Sequence, residues 1–386
     1  AVTRSIIVLS GHRSLDVGGV GTHLSLLDRM LSRAEYPHIM CYGRKPVDIL
    51  KSAVLCNSAR WLFPQLHVPI RQESFVQGMI RVLVKAIRGT SCKPDLVHCH
   101  DTFSTLAAKY VREAEGLDIQ IVQTTHAPLL DEYLINHPDN HYLHDMAMSW
   151  DFHGYNASSR VIAVDTLQKE LVRRIHDRVP VTVIPNAVDL AELADIRTKC
   201  IKTPERPYIC VARHLSRKNG IPVAVEAYRR CKSAERYQLV VVGDGQDRPI
   251  VEKLIVEHKL EKKVLLMGKR SRNETLQMIA NASVSLIPSI PIHNYVEATS
   301  LTMLESLGLG CPIVASSIGG LQEVLEGTEA GLLVPPNEPQ ALADAIDGVL
   351  SDGQLRERMR NRGMELAREY DTNAWFLRHR EIYESL

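Results

Sequence analysis

Short apolar runs of about five or six residues, rich in Val and Ile, recur along the chain between longer stretches with helical period. Continuous apolar runs of that length belong to strands buried on both faces, and their alternation with helices is the signature of β-α-β units and a parallel sheet. In the first half the runs are 5–10, 38–43, 95–100, 119–125, 160–165 and 181–185. In the second half they are 208–213, 238–245, 263–268, 283–289, 312–317 and 331–336. Each half therefore has strands enough for a sheet of its own. Between the halves, Asn186 to Pro207 carries the charged piece KTPERP and lacks a strong apolar period, which places a domain boundary there. The expected division is 1–186 for an amino-terminal domain, 187–371 for a carboxyl-terminal domain, and 372–386 for a last helix packing back on the first. Two open α/β domains of this kind, facing each other, bind ligands at the carboxyl ends of their strands, in the cleft between them.

At 386 residues, 45% hydrophobic and 24% charged, the chain is long enough for two ordinary domains. Its 46 basic and 45 acidic residues leave a net charge of +1, so no global field draws it to nucleic acid or to an anionic membrane. Eight cysteines without a C-x-x-C pair fit the buried thiols of a reducing compartment. The first apolar run is too short for a signal-peptide core, and a cytoplasmic location is expected. The sequons at Asn156, Asn273 and Asn281 then read as chance.

Candidate chemistry sits just after the expected strands. Gly18, Gly19 and Gly21 follow the first and lead into a helix expected near Thr22. Glycines there let backbone approach a phosphate, although Leu24 breaks the dinucleotide fingerprint G-x-G-x-x-G. Gly243-Asp244-Gly245 fails likewise at Arg248. Tight turns and anion cradles both remain open for the two clusters. Arg213, at the end of the first strand of the second half, and Lys218, just before a helix at Gly220, are a cationic pair suited to a diphosphate. The segment 293–325 holds Glu297 and Glu305 with seven residues between them, the first at a loop-to-helix transition and the second on an apolar helix where a carboxylate must find a partner. On one continuous helix the two would stand about 80° apart, so they should not act as a glycosidase-type pair.

Taken together, the E-x7-E element, the VxR-x4-K-x-G segment, VVVGDG, VIPNAVD at 183–189 and the amino-terminal GGVG resemble the retaining glycosyltransferases of the GT-B fold, family four. The resemblance runs from Gly18 to about Glu323. It implies an α/β protein of two Rossmann-like domains and transfer of a sugar from a nucleoside diphosphate, uridine above all, to an acceptor hydroxyl with retention. No cofactor and no metal would be required. Arg213 and Lys218 would hold the donor diphosphate, Glu297 the donor sugar, Glu305 the ribose hydroxyls, and Gly18 and Gly19 would lie against the donor. His126, in TTHAP, would reach the transferring sugar, and Arg270 lies where the family holds the base. Ala298, Thr299, Ser300, Leu301 and Thr302 would complete the donor contacts. The family often has Gly-Phe-Gly after the first glutamate, where this chain has the bulkier, more polar Ala298, Thr299 and Ser300.

Other features weigh differently. His98, His100 and Asp101 do not complete a metal ligand set and are expected to pack at a strand end. His137, His141, His144, Trp150, Phe152 and His153 either line an acceptor pocket or cover a surface helix. Arg81, Lys85 and Arg88 lie opposite Ile80, Leu83, Val84 and Ile87, which favours a sheet-covering helix over peripheral membrane contact. Two rival functions are kept: a nucleotide-sugar epimerase of the same architecture, and a non-catalytic nucleotide-sugar-binding protein. Acceptor and oligomeric state are not written in the sequence.

Overall fold

The structure, a computed structural model, describes residues 4–12, 18–42, 67–90, 93–198, 204–292 and 296–386. It divides into two compact units, residues 1–185 with 375–386, and residues 186–374. Twelve strands lie among the described residues, one in every apolar run of the sequence. In unit 1 they are β1 Ile6–Ser10, β2 His38–Tyr42, β3 Leu96–Cys99, β4 Gln120–Thr125, β5 Arg160–Ala163 and β6 Val181–Val183. In unit 2 they are β7 Tyr208–Ala212, β8 Gln238–Val242, β9 Val264–Leu266, β10 Val284–Ile287, β11 Ile313–Ser316 and β12 Gly331–Val334.

Both sheets are parallel, with orders β2-β1-β3-β4-β5-β6 and β12-β11-β10-β7-β8-β9. The order reverses once in each, between β1 and β3 and between β7 and β10. Loops leaving adjacent strands at such a point turn to opposite faces and open a crevice at the carboxyl edge.

The unit 2 sheet is apolar on both faces. Ile209, Val211, Leu239 and Val241 belong to one core cluster, and Tyr208, Cys210, Val240 and Val242 to the other. In unit 1, Ile7, Leu9, Val97, Cys99 and Ile121 on one face pack with Met79, Ile80 and Leu83 of helix His67–Gly89 and Ala107, Ala108 and Val111 of helix Thr102–Ala114, while Ile6, Val8, Leu96, Val122 and Ile162 are buried on the other. Burial of Ile80 and Leu83 makes His67–Gly89 a sheet-covering helix.

The opposite face of that sheet is polar at its centre. His98 and His100 alternate with Val97 and Cys99, and Thr124 is buried on the neighbouring strand. Helix Thr372–Ser385 covers them, with the Tyr383 hydroxyl 2.7 Å from His98 Nδ1, while His98 Nε2 lies 2.8 Å from the Thr124 hydroxyl. His98 is thereby satisfied. Asp101 is too, since its Oδ1 accepts from Ser104 N and its Oδ2 from Gly11 N, both at 2.7 Å, which caps helix Thr102–Ala114 and ties β3 to the end of β1.

Three local expectations need correction. The first helix spans Gly18–Arg33, so Gly18, Gly19 and Gly21 lie in its first turn and not ahead of it. The segment 186–207 contains a helix, Leu190–Thr198, anchored by buried Leu193 and Ile196 and started by Asp189, whose carboxylate accepts from Ala191 N and Glu192 N at 3.1 Å. Its two buried positions are too few for periodicity to betray it. Finally, the helix after Glu297 begins only at Leu301, so the angular separation of Glu297 and Glu305 on one helix does not apply.

Candidate active site

In unit 2 the crevice between β7 and β10 assembles Arg213, Asn219, Ser289, Glu297 and Ser300. Arg213 leaves the end of β7 with its side chain 7% exposed. Its guanidinium donates to Glu297 Oε1 at 2.9 Å, to Ser300 Oγ at 3.2 Å and to Asn219 Oδ1. The other Glu297 oxygen accepts from Ser289 Oγ at 3.4 Å. A mostly buried ion pair is stable only when its remaining groups are also bonded, and Asn219 meets that need by donating in turn to His214 O at 2.7 Å. Asn219 and Ser289 are site residues that sequence reading missed. The former lies between Lys218 and Gly220, and its signal was its place inside the basic loop.

Two glycines explain how backbone closes around this pair. A Cβ on Gly243, at φ +137°, would stand 2.0 Å from Arg213 O, so the GDG turn after β8 is held against the end of β7. A Cβ on Gly320 would stand 2.4 Å from Thr299 N, where helix Gly319–Leu325 presses on 298–299. Close backbone approach accounts for Gly243, and no phosphate is needed for it.

Lys218 lies in the 3-10 turn Arg217–Asn219, pinned where Ile290 N donates to Lys218 O at 2.9 Å. Thr299 and Ser300 are buried, and Thr299 O accepts from Asn186 Nδ2 at 2.7 Å. Ala298 precedes them, and Leu301 and Thr302 open helix Leu301–Leu309; Thr302 Oγ1 donates to Ala212 O at 3.2 Å, docking this helix start beside Arg213. Ser300 is the N-cap but makes no side-chain cap bond, because its hydroxyl serves Arg213. The first-turn N–H groups therefore lack a side-chain acceptor and present the positive end of the helix at the same edge.

Glu305 sits one turn into helix Leu301–Leu309, and it has its own arginine. Arg272, at the start of helix Arg272–Ala280, donates to Glu305 Oε1 at 2.6 Å and to Glu192 at 3.1 Å. Burial pushes the Glu305 carboxyl up from its usual value, and Arg272 pulls it part of the way back. Arg270 is placed elsewhere: its side chain is 40% exposed, with Nε donating to Met267 O at 3.1 Å and a terminal guanidinium nitrogen paired with Glu274 at 3.8 Å. Sequence reading named Arg270 for the base and did not name Arg272, two residues on, because only the orientation of the helix start brings Arg272 to Glu305.

The unit 1 candidates lie at the carboxyl edge of its own sheet. Gly18 and Gly19 begin helix Gly18–Arg33, and His126 follows β4. His126 is half-buried, and burial first, then the neighbouring His23 and His12, lower its pKa well below the usual value. Its imidazole is therefore neutral at pH 7, able to share a hydrogen bond with a hydroxyl.

The aromatic and histidine positions between 133 and 155 form two helices, Leu129–Asn136 and His141–Ala157. Tyr133 packs on Trp150 and accepts from Gln72 Nε2 at 2.7 Å, His144 bonds His137 O at 2.7 Å, and Phe152 is exposed. The described cysteines, 41, 99, 210, 231 and 311, are buried and free. No helix among the described residues is long and apolar enough to cross a membrane.

Two family models meet on this chain. "Glycosyltransferase Family 4" matches residues 17–192 and "Glycosyl transferases group 1" residues 194–366. The alpha-D-kanosaminyltransferase of Streptomyces kanamyceticus is 26% identical over 294 residues, covering 72% of this chain and 74% of that protein. Among solved structures, sucrose-phosphate synthase of Thermosynechococcus elongatus superimposes with a TM-score of 0.79 at 20% identity, over 99% of both chains. Anabaena HepE in complex with UDP-glucose gives 0.68 at 17% identity, over 98% of this chain and all of that one. With the two sheets, the motifs in order and both halves matched, the chain belongs to the group 1, family 4 glycosyltransferases of the GT-B fold.

Proposed function

We propose that this glycosyltransferase moves a sugar from a uridine diphosphate donor to an acceptor hydroxyl with retention of anomeric configuration and without a divalent ion. The observation that carries the reading is Arg213, bound to Glu297 and Ser300 at an uncapped helix start. Departure of a diphosphate builds negative charge on its oxygens while the anomeric carbon becomes cationic. Arg213, Lys218 and the N–H groups of helix Leu301–Leu309 supply fixed positive charge for that leaving group, which is the work a metal would otherwise do. Glu297, anchored by Arg213, orients the sugar, and Glu305 accepts from the ribose hydroxyls beside Arg272. Neutral His126 supports a sugar hydroxyl, and Gly18 and Gly19 offer first-turn amides to the donor. The acceptor hydroxyl attacks from the face the phosphate leaves, and the departing phosphate takes its proton. HepE supports the choice of uridine, having been solved with UDP-glucose.

A thermal-shift panel of nucleoside diphosphates and their sugars tests the donor, since a specific ligand stabilises in proportion to the logarithm of its saturation. UDP or a UDP-sugar should raise the melting temperature where ADP and GDP do not; equal shifts from all three would discard the base assignment. Product NMR reads the linkage, and an inverted anomer would discard retention.

A further inference from the structure

The covered face of the unit 1 sheet collects imidazoles from four separate parts of the chain. His23 comes from helix Gly18–Arg33, His98 and His100 from β3 and its end, His126 from the end of β4, and His379 from helix Thr372–Ser385. His98 is spent on Tyr383 and Thr124, and His379 Nδ1 lies 3.0 Å from Trp375 O. His100 is different. It is 3% exposed, and neither of its ring nitrogens has a hydrogen-bond partner. The Nε2 of His126 is likewise buried and unbonded. A neutral imidazole always carries one N–H, so leaving a buried ring wholly unbonded costs about 1–3 kcal/mol.

We infer that His23, His100 and His126 form a binding site for a zinc-type transition-metal ion. Each offers one ring nitrogen, and the three atoms lie within 4.8 Å of one another. Ring centroids are 4.9 Å apart for His23 and His126, 5.2 Å for His23 and His100, and 6.3 Å for His100 and His126. Zinc–nitrogen bonds of about 2.0–2.1 Å put tetrahedral ligands about 3.4 Å apart, so each ring need move by less than about an ångström. Imidazole suits zinc, copper, nickel and iron. Among the described residues no free carboxylate joins the three, since Asp101 is committed to Gly11 and Ser104. His126, the least buried of the three, marks the side from which an ion enters, and a water completes the tetrahedron. All three histidines belong to unit 1, and their arrangement stands whether or not the chain transfers sugars. If it does, an ion there occupies His126 and opposes turnover.

The test uses full-length protein stripped with chelator and titrated with Co²⁺ and then Zn²⁺. We expect one equivalent bound by calorimetry, visible d–d bands of four-coordinate cobalt, and their loss on adding zinc. His100→Ala and His126→Ala should each weaken binding at least about 100-fold, beyond the 10–100-fold of an outer-shell partner. His153→Ala, an exposed histidine outside the cluster, should bind as the native chain does. If His100→Ala does not fold, His126→Ala, at the least buried of the three positions, reads the same loss. Binding below about a tenth of an equivalent, or binding undiminished in a folded His100→Ala or His126→Ala protein, overturns the site.

Discussion

Replacing Arg213 by Ala separates two things that this side chain does. It leaves the Glu297 carboxylate, whose side chain is 13% exposed, without its cation, and it leaves Asn219 and Ser300 without a donor. Breaking a buried pair from one side costs about 3–5 kcal/mol because the remaining charge stays uncompensated. Unit 2 spans residues 186–374, and a domain of that size loses about 2–4 °C per kcal/mol, so its melting temperature should fall by roughly 6–20 °C. Turnover should fall separately, by the roughly hundred- to thousand-fold that one missing charge-stabilising donor costs. The double variant Arg213→Ala with Glu297→Gln removes the orphan charge as well. By calorimetry it should recover more than half of the lost melting temperature, while sugar transfer, followed by release of the nucleoside diphosphate, stays at the level of the single variant or below. If the double variant melts no higher than Arg213→Ala, the carboxylate was not relying on the arginine. If Arg213→Ala transfers sugar within about tenfold of the native rate, the guanidinium does not act on the leaving group.

Unit 1 should lose stability on mild acidification, because burial lowers the pKa of His98, His100 and His126 well below the usual value and that of His379 to about 3. The unfolded chain takes up these protons near pH 6.5 and the folded chain does not, so falling from pH 6.5 to 5.5 removes about 4 kcal/mol; Asp151, pushed up to about 7 by burial, protonates in the folded state and returns about 1 kcal/mol. Urea midpoints at the two pH values check the sign, and a midpoint that stays level or rises would mean the folded imidazoles accept protons. Gly320→Ala drives a methyl against Thr299 N, and overpacking of this kind costs about 1–3 kcal/mol. Its donor KM should rise as residues 298–300 are displaced, and an unchanged KM would show that those backbone positions do not touch the donor.

Much of the fold could be read from the chain alone, and for a local reason. A strand buried on both faces needs an unbroken apolar run, so VVV at 240–242 and IIVL at 6–9 declare themselves whatever surrounds them. Helix Leu190–Thr198 was missed because its core contact rests on Leu193 and Ile196 and its start on one aspartate, which periodicity does not register. The start of the first helix was misplaced by a few residues, since glycines read equally well as a loop or as a first turn.

The order of motifs along the chain likewise marked Arg213, Lys218, Glu297 and Glu305, since residues just after strands must reach the carboxyl edge of a parallel sheet. Which carboxylate meets which cation was decided only by tertiary structure. Arg213 and Glu297 are 84 positions apart and meet because β7 and β10 are neighbours at the point where the sheet reverses; Arg272, not Arg270, meets Glu305 because of how one helix start is turned. The same holds for the imidazoles of unit 1, which come from positions 23, 98, 100, 126 and 379 and share a face through strand order and the covering helix. Periodicity is carried by neighbours along the chain, whereas an ion pair or a ligand set depends on distances that exist only after the strands have been ordered.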